Sequence, residues 1–247
     1  MSVDPARGTR TAPPVATRTL AVLQPGYLPW LGFFDQMHRS DVFVYYDDVQ
    51  FDKHGWRNRN RIKTPAGPLW LTVPVRHAGL GQPRILDTLI DGSTSWARKH
   101  VRSIRQYYAK APFLNRYLPE IEELLERPWA HIADLDIALA GVLARWLSLE
   151  PTVHRASELE IAGDKSERLL NLCRHFGADR YLSGNAAQDY LEVDLFTRHG
   201  VVVEWQNYHH PVYPQQHGKF MPFLSALDLL LNCGDESASI LKRETLQ

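Results

Sequence analysis

The stretch LAVLQPGYLPWLGFFDQMHRSDVFVYYDD, residues 20–48, decides the fold. Residues 20–23 form a short apolar run that ends at a Pro-Gly pair, which is typical of a buried strand. Residues 31–38 have the pattern of a helix. Residues 41–46 are crowded with β-branched and aromatic side chains, which favours a second strand. A strand, a helix and another strand in this order predict the start of an α/β sheet.

The same alternation returns in the last third of the chain, after Pro151. Strands are predicted at residues 152–157, 180–182 and 201–206, and helices at residues 165–176, 194–199 and 224–232. Because strands alternate with helices, consecutive strands are expected to run parallel. The sequence therefore predicts an α/β fold with an open, mainly parallel Rossmann-like sheet.

Two segments interrupt this alternation. Residues 56–63 and 69–75 read as strands on either side of the turn signal PAGP, so they predict an inserted antiparallel β-hairpin. Residues 94–149 contain three helical patterns, which predict a helical insertion. Residues 1–18 are rich in Pro, Thr, Ala and Arg and predict a disordered leader. The remainder, residues 19–247, is predicted to form a single α/β domain.

Composition excludes several classes of function. The chain has 28 basic and 28 acidic side chains, so neither a nucleic acid partner nor an anionic membrane is expected from net charge. Its two cysteines form no disulfide framework and indicate a reducing compartment, so we predict a cytoplasmic protein. The longest nearly apolar window, residues 137–149, is interrupted by Arg145 and is shorter than the roughly 20 residues that a span needs. No membrane insertion is predicted.

The run WRNRNRIK, residues 56–63, is a candidate anion site. If it is a strand, side chains at alternate positions share a face. Arginine presents planar paired donors that suit a phosphate or a carboxylate. The alternative is that the cations pair with nearby aspartates or face water. The predicted cationic face holds Arg57, Arg59, Arg61 and Lys63, and the opposite face Trp56, Asn58, Asn60 and Ile62.

Asp47 and Asp48 follow the second predicted strand, where open α/β sheets place ligands. A carboxylate there is a candidate general base towards an attacking amine, or a metal ligand. The alternative is that both cap the loop.

Three histidines, His209, His210 and His217, lie in the proline-rich segment YHHPVYPQQHGKF. Their spacing matches no standard zinc pattern, so no metal is expected. An acid, base or donor role is the chemical hypothesis, and a stiff loop is the alternative. The segment SGNAAQ, residues 183–188, allows close backbone approach to a ligand but lacks phosphate-loop spacing. No cofactor is identified.

Several ordered motifs resemble the WbqC-like protein family of bacteria: QPGYLPWLGFF, DVFVYYDDVQF, WRNRNRI, WLTVPV, RYLSG and HPVYPQQHGKFMPFLSALDLLLNCG. The resemblance implies a place in O-antigen and related polysaccharide gene clusters, and a glycine transferase role has been suggested for some members. Such an enzyme joins an aminoacyl group to the amine of an amino sugar. The positions that stand in the family's recurring motifs are Gln24, Pro25, Tyr27, Pro29, Trp30, Asp48, Gln50, Arg59, Asn60, Ser183, Gly184, Pro211, Tyr213 and Gln215.

The element order also resembles the nucleotidylyltransferase superfamily that includes pantothenate synthetase, which makes an amide through an acyl adenylate. That superfamily carries paired histidines in its first loop, where this chain has Tyr27 and Trp30, and no lysine-serine signature loop is evident. ATP is therefore expected only under an alternative in which the protein is an adenylate-forming ligase.

We predict an acyl or aminoacyl transferase that forms an amide on an amino sugar or a similar small amine. The candidate catalytic residues are Asp48, His210 and Asp47, and the expected partners are an amine or sugar-nucleotide substrate with an acyl-carrier protein or another activated acyl donor. A non-catalytic binding module is a further alternative. The candidate substrate-binding residues are Gln24, Tyr27, Trp30, Gln50, Arg59, Asn60, Ser183, Asn185, Tyr213, Gln215, His217 and Lys219.

Overall fold

The computed structural model describes residues 17–53, 55–76, 81 and 83–243, so most of the predicted leader, residues 1–16, lies outside the described part. The first strand, β1 (Thr19–Leu23), leads through a loop into helix α1 (Leu31–His38) and then into β2 (Val42–Tyr45). The predicted strand-helix-strand start is confirmed, and α1 has the predicted bounds.

The predicted hairpin is present as a separate antiparallel pair, β3 (Arg59–Thr64) and β4 (Gly67–Thr72). Residues 56–58 were predicted as part of the first hairpin strand, but the strand begins only at Arg59. The alternation of faces that was predicted from Trp56 onward therefore holds only within β3.

Three helices follow the hairpin: α2 (Trp96–Tyr107), α3 (Leu114–Glu126) and α4 (Ile132–Trp146). They occupy the segment in which three helices were predicted, and each ends within a few residues of its predicted bounds. Their apolar faces join those of α1 and of the last helices in one hydrophobic cluster.

The alternation then resumes as predicted. The elements are β5 (Thr152–Arg155), α5 (Lys165–Phe176), β6 (Arg180–Ser183), α6 (Val193–Arg198) and β7 (Val202–Trp205), followed by α7 (Ala226–Cys233) and α8 (Glu236–Arg243). Helix α8 was not predicted; it follows directly on α7 after a glycine with a positive φ of 56°.

The described strands form a five-stranded parallel sheet in the order β5-β2-β1-β6-β7. On one side of β1 the sheet continues with β2 and then β5. The chain returns to the other side of β1 as β6, and β7 lies beyond it. Loops that leave the carboxyl ends of β1 and β6 consequently diverge, and such a switch point is where open α/β sheets bind ligands. The α/β class with a parallel sheet, an inserted hairpin and a helical segment is confirmed.

The inner strands are buried on both faces, which explains their continuous apolar sequence. In β1, Ala21 belongs to a cluster with α1 and the inserted helices, whereas Leu20 packs with α5 and α6. In β2, Phe43 and Val44 divide in the same way. Alternate side chains point to opposite faces, so each strand contributes to two cores. No helix in the described residues is long and apolar enough to cross a membrane.

Candidate functional site

A cavity of about 470 Å³ opens at the switch point between β1 and β6. This size suits a small organic ligand. The ends of both strands, the loop after β1 and the residues that precede β3 form its walls. Five of the predicted substrate-binding residues line it: Gln24, Tyr27, Trp30, Asn60 and Ser183.

The loop after β1 is tied to the hairpin by backbone contacts. The amide of Tyr27 donates to the carbonyl of Trp56 at 3.2 Å, and the Asn60 side chain donates to the Leu28 carbonyl at 2.7 Å. A Cβ at Gly26 would lie 3.0 Å from the Trp56 carbonyl oxygen, so only glycine fits without displacement. Leu28 has a φ of 43°, a conformation that costs free energy and occurs often at functional sites. These contacts fix the loop against the hairpin.

Tyr27 is buried at the cavity wall, and its hydroxyl is committed to an internal hydrogen bond. The hydroxyl oxygen lies 2.9 Å from Nδ1 of His100 on α2, which is also buried. The imidazole also has a hydrogen bond with the Thr72 backbone, which raises its pKa, but burial is the larger effect and lowers the pKa of His100 to about 4. His100 is therefore neutral at pH 7, and its hydrogen bond with the Tyr27 hydroxyl locks the cavity wall to the inserted helices.

The buried imidazole predicts a pH dependence of stability. In the unfolded chain His100 binds a proton below about pH 6.5, whereas the folded protein resists protonation until about pH 4. The unfolded state thus binds more protons in this window, and the free energy of unfolding should fall as the pH is lowered through it. A shift of this size corresponds to roughly 3 kcal/mol. Urea unfolding of wild type and His100→Asn at pH 7, 5.5 and 4 measures this pH dependence of stability.

The difference in unfolding free energy between wild type and His100→Asn should shrink as the pH falls, because only the wild type loses the contribution. His209→Asn, at an exposed histidine, is the matched control. Parallel pH profiles for wild type and His100→Asn would contradict the assignment.

Two cationic side chains lie on different walls of the cavity. Arg57 donates from Nη1 to the Pro25 carbonyl at 2.8 Å, while its buried Nε has no hydrogen-bond partner among the described residues. Lys165 is the first residue of α5, and its φ is 42°. The amino end of a helix adds positive potential. None of the lining residues that the structure describes is acidic or a histidine. The cavity is therefore suited to an anion.

Asp136 is a buried carboxyl group on α4 that interacts with Arg57. The side chain is 0 % exposed, and within the described residues neither oxygen has a hydrogen-bond partner. Burial raises the pKa of Asp136 well above its usual range, and the charge of Arg57 opposes that rise. A buried carboxyl without hydrogen bonds is costly and calls for a specific explanation. Asp136 was not among the residues predicted from the sequence, although an acidic residue inside an apolar helical face was an available signal.

Asp47 and Asp48 do not line the cavity. Asp47 is fully buried and accepts hydrogen bonds from Nε of Arg155 at 2.7 Å and from the Ser157 hydroxyl at 2.8 Å. Asp48 forms a bidentate ion pair with Arg168 of α5, in which Nη1 of Arg168 donates to Oδ1 of Asp48 at 3.0 Å. The two carboxylates therefore tie the end of β2 to β5 and to α5, the helix that carries Lys165.

Three further predicted residues lie outside the cavity lining. Gln50 is exposed and forms an isolated β-bridge with Arg84. Asn185 donates to the side chain of Asn207 at 2.9 Å on the surface. The guanidinium carbon of Arg59 lies 4.7 Å from the centre of the Trp70 ring on the neighbouring strand.

Tyr213 and Gln215 belong to a buried polar network around Asp228 of α7. The carboxylate of Asp228 accepts from the Tyr108 hydroxyl at 2.6 Å, from the Tyr213 hydroxyl at 3.0 Å and from the Gln215 amide at 2.8 Å. Lys63 joins by donating from Nζ to Gln215 at 3.0 Å. The network connects the hairpin, α2 and α7 with the proline-rich segment, and none of its members lines the cavity.

The remaining predicted residues of the proline-rich segment also have other contacts. Nε2 of His217 lies 2.6 Å from the Tyr107 carbonyl, and the Lys219 carbonyl accepts from Lys63 at 2.6 Å. The ring of His210 lies 5.4 Å from the ring of Phe223 and 6.1 Å from that of Tyr213. This aromatic cluster adjoins the side of the Trp30 ring that contacts Phe223.

The structure thus adds Arg57 and Lys165 to the cavity. Arg57 was predicted as one member of a cationic strip, although it lies before β3 and faces the cavity. Lys165 was recognised only as the start of a helix. In the described residues no cluster of three or more His, Cys, Asp or Glu is placed to hold a metal ion.

Comparison with known proteins gives one family and one relative. The model of the WbqC-like protein family matches residues 24–240. An uncharacterised protein of Mycobacterium tuberculosis is 36% identical over 227 residues, which cover 91% of this chain and 98% of the relative. No solved structure matches the chain.

Proposed function

The chain belongs to the WbqC-like protein family, and on this premise we propose that it is an acyl or aminoacyl transferase that forms an amide on a phosphate-bearing amine bound in the switch-point cavity. The acceptor is an amino sugar or a similar small amine. The donor is an acyl group already activated as an ester or thioester, on an acyl-carrier protein or a small carrier.

The observation that carries the proposal is that Arg57 and Lys165 both line the cavity at the switch point, together with Trp30. Guanidinium and ammonium groups bind phosphate oxygens through charge-assisted hydrogen bonds. The half-buried Trp30 ring supplies flat apolar surface for the uncharged part of the substrate. The cavity is thus suited to a molecule with one anionic end and one ring.

In the proposed reaction the amine nitrogen attacks the acyl carbon and the bond to the carrier oxygen or sulfur breaks. The amine proton passes to solvent, and the carrier takes up a proton and leaves as an alcohol or a thiol. Positioning of two reactants supplies much of the rate in such a step. Gln24 is the side-chain amide assigned to the acyl carbonyl, because Asn60 and Asn185 already bond to other groups. The thiol of Cys173 is not a nucleophile in this scheme, since burial raises its pKa to about 12.

Asp48 and His210 were predicted as candidate bases, and the proposal now assigns them positioning roles. Asp48 holds Arg168, and through it α5, which carries Lys165 at the cavity. His210 contacts the aromatic cluster beside Trp30. Asp48→Asn should therefore weaken substrate binding more than it lowers the turnover of bound substrate. A large loss of kcat at unchanged KM would restore Asp48 as the base.

The reaction is tested by incubating the protein with activated glycyl and acyl donors and nucleotide-linked amino sugars, with mass spectrometry of the products. An amide of the expected mass supports the proposal. Failure to detect an amide with any donor and acceptor of the panel would contradict the proposal.

Lys165→Ala should weaken the binding of inorganic pyrophosphate about tenfold, since it removes one charge-assisted contact to the anion. Isothermal titration calorimetry measures this directly. Lys99→Ala, at an exposed position on α2, is the matched control and should bind as the wild type does. Equal affinities for both variants would remove Lys165 from the site.

An ATP-dependent adenylate-forming ligase is the second candidate. It is favoured by the strand order, since parallel sheets with one switch point beside their first strand often bind nucleotides there. Exchange of labelled pyrophosphate into ATP in the presence of candidate acids separates the two, because a transferase with a preactivated donor shows none. Ligand binding with neither product nor exchange would assign a binding module.

A further inference from the structure

The outward face of the β-hairpin exposes two tryptophans. Trp56 is 41% exposed and Trp70 42% exposed. Their ring centres are 5.2 Å apart, with 38° between the ring planes. Because large aromatic side chains gain most from burial, two adjacent exposed indoles mark a surface that is suited to a further contact.

Two arginines of β3 lie on the same face. Arg61 is opposite Trp70 in the hairpin register, and its guanidinium carbon lies 5.5 Å from the Trp70 ring centre and 5.4 Å from the Trp56 ring centre. Arg59 lies over Trp70. Asn60 and Ile62, at the intervening positions, are buried. Strand alternation places Arg59, Arg61 and Trp70 on one outward surface, and the ring of Trp56, which precedes β3, contacts Trp70 and Arg61 there. We call these four residues, Trp56, Arg59, Arg61 and Trp70, the tryptophan–arginine platform.

Cation–π contacts within the platform account for the position of the arginines, and beside these contacts Trp56 and Trp70 remain 41% and 42% exposed. Nη2 of Arg61 donates to the Phe223 carbonyl at 2.9 Å, and its Nε is buried without a hydrogen-bond partner in the described part of the chain. The platform therefore offers flat aromatic surface and the positive charge of Arg61 to an incoming molecule.

The platform is continuous with the cavity. Trp56 belongs to both, and the next residue, Arg57, lines the cavity. A ligand longer than the cavity would leave it past Arg57 and meet Trp56 and Arg61. Arg57 and Arg61 give this exit positive charge, so the part of the ligand that passes between them should be anionic.

We propose that the platform is the subsite for a nucleoside diphosphate, with the base stacked on the exposed indole surface and the diphosphate held between Arg61 of the platform and the cavity cations Arg57 and Lys165. This inference rests on the proposed function and specifies its substrate class: a nucleoside diphosphate whose attached amine-bearing group occupies the cavity. Bases stack on aromatic side chains with little sequence preference, and guanidinium groups bind phosphate in paired contacts. Two rings provide room for one base, which suits a mononucleotide rather than a strand.

Binding of uridine diphosphate, adenosine diphosphate, uridine and inorganic pyrophosphate to the full chain tests the inference by calorimetry. Trp70→Ala should weaken the binding of both nucleoside diphosphates about tenfold and leave pyrophosphate binding unchanged, because only the base loses its contact. Arg61→Gln should weaken nucleoside diphosphates and pyrophosphate by the same factor. Trp70→Phe keeps an aromatic surface and should retain most of the affinity.

The controls are Val153→Ala and Arg116→Gln, which alter an exposed apolar residue and an exposed arginine on other surfaces. If Trp70→Ala fails to fold, quenching of tryptophan fluorescence by uridine diphosphate in Trp70→Phe and Trp56→Phe replaces it. Each should lose part of the wild-type quenching. Wild-type binding by Trp70→Ala, unchanged quenching in both phenylalanine variants, or no binding of nucleoside diphosphate to the wild type would each overturn the inference.

Failure of the inference and failure of the proposed function give different results. If nucleoside diphosphates bind through the platform but no amide forms with any donor, the subsite stands and the transferase activity does not. If an amide forms and Trp70→Ala leaves the KM of a nucleotide-linked acceptor unchanged, the activity stands and the subsite does not.

Discussion

Replacing Asp228 with alanine should lower the free energy of unfolding by roughly 3–5 kcal/mol, because it breaks a buried hydrogen-bonded network at its centre. Asp228 is 1 % exposed and accepts from three side chains, Tyr108, Tyr213 and Gln215. Burial raises the pKa of Asp228, and the three donors oppose the rise. Without the carboxylate, the buried hydroxyls of Tyr108 and Tyr213 lose their acceptor, and each unsatisfied donor is costly. The half-buried Gln215 amide loses one of its two acceptors.

Chemical denaturation followed by circular dichroism measures the loss. Asp235→Ala is the matched control, since Asp235 is an exposed carboxylate in an ion pair with Arg116 and surface pairs contribute little. If Asp228→Ala were no more destabilising than Asp235→Ala, the network would not hold the proline-rich segment in place.

Tyr213→Phe distinguishes a structural from a ligand-binding role of the same network. It removes one donor to Asp228 and should cost about 1 kcal/mol of stability while pyrophosphate affinity stays unchanged. Weaker binding at unchanged stability would instead support the predicted role of Tyr213 in substrate binding.

Much of the fold follows from local sequence. Helices α1 and α5 begin and end where the apolar pattern and the flanking residues predict, and the class of sheet follows from the alternation of elements. The pairing of β1 with both β2 and β6 joins segments far apart in the chain, so no local pattern contains it. Helix α8 was missed because a glycine after α7 reads as an end, although here the chain turns and continues as a helix.

Part of the candidate site could also be predicted from local sequence. Gln24 follows β1 and was predicted to face a ligand because sheets place ligands at strand ends. Ser183 ends β6 and was predicted because the small residues of SGNAAQ allow close backbone approach. Both line the cavity. The proline-rich segment was different. Its polar residues were assigned to a substrate, whereas Gln215 bonds to Asp228 on α7 and to Lys63 of β3. Local sequence carries no sign of partners that are supplied by other elements.

Arg57→Met should lower the free energy of unfolding by roughly 3–5 kcal/mol at neutral pH, because it leaves the carboxyl of Asp136 buried without a compensating charge. The double variant Arg57→Met/Asp136→Leu should recover most of this loss, since an apolar residue suits the buried site. Arg102→Met, at an exposed position on α2, controls for the loss of an arginine. Additive effects of the two substitutions would show that Arg57 and Asp136 do not interact.

The pH dependence of the unfolding free energy of Arg57→Met should identify why the variant loses stability. Burial raises the pKa of Asp136 in the folded state, and Arg57 opposes that rise, so its loss raises the pKa further. The folded state then binds a proton more tightly than the unfolded state, and stability falls as the pH increases from about 4 towards the raised pKa. The variant should therefore be closest to wild type at low pH and furthest from it at pH 8, as measured by urea unfolding. A difference that is constant with pH would assign the loss to packing.

The same pair connects stability with ligand binding. Asp136 interacts with the cation that faces the cavity, so in the empty site the ionised form of Asp136 and an incoming anion compete for the charge of Arg57. Asp136→Asn keeps the side-chain volume and removes the competing charge, so it should tighten pyrophosphate binding about tenfold. If Asp136 instead served only to hold Arg57 in position, the same substitution would weaken pyrophosphate binding. The sign of that change, measured by calorimetry beside a urea denaturation curve, decides whether the buried carboxyl restrains the anion site or supports it.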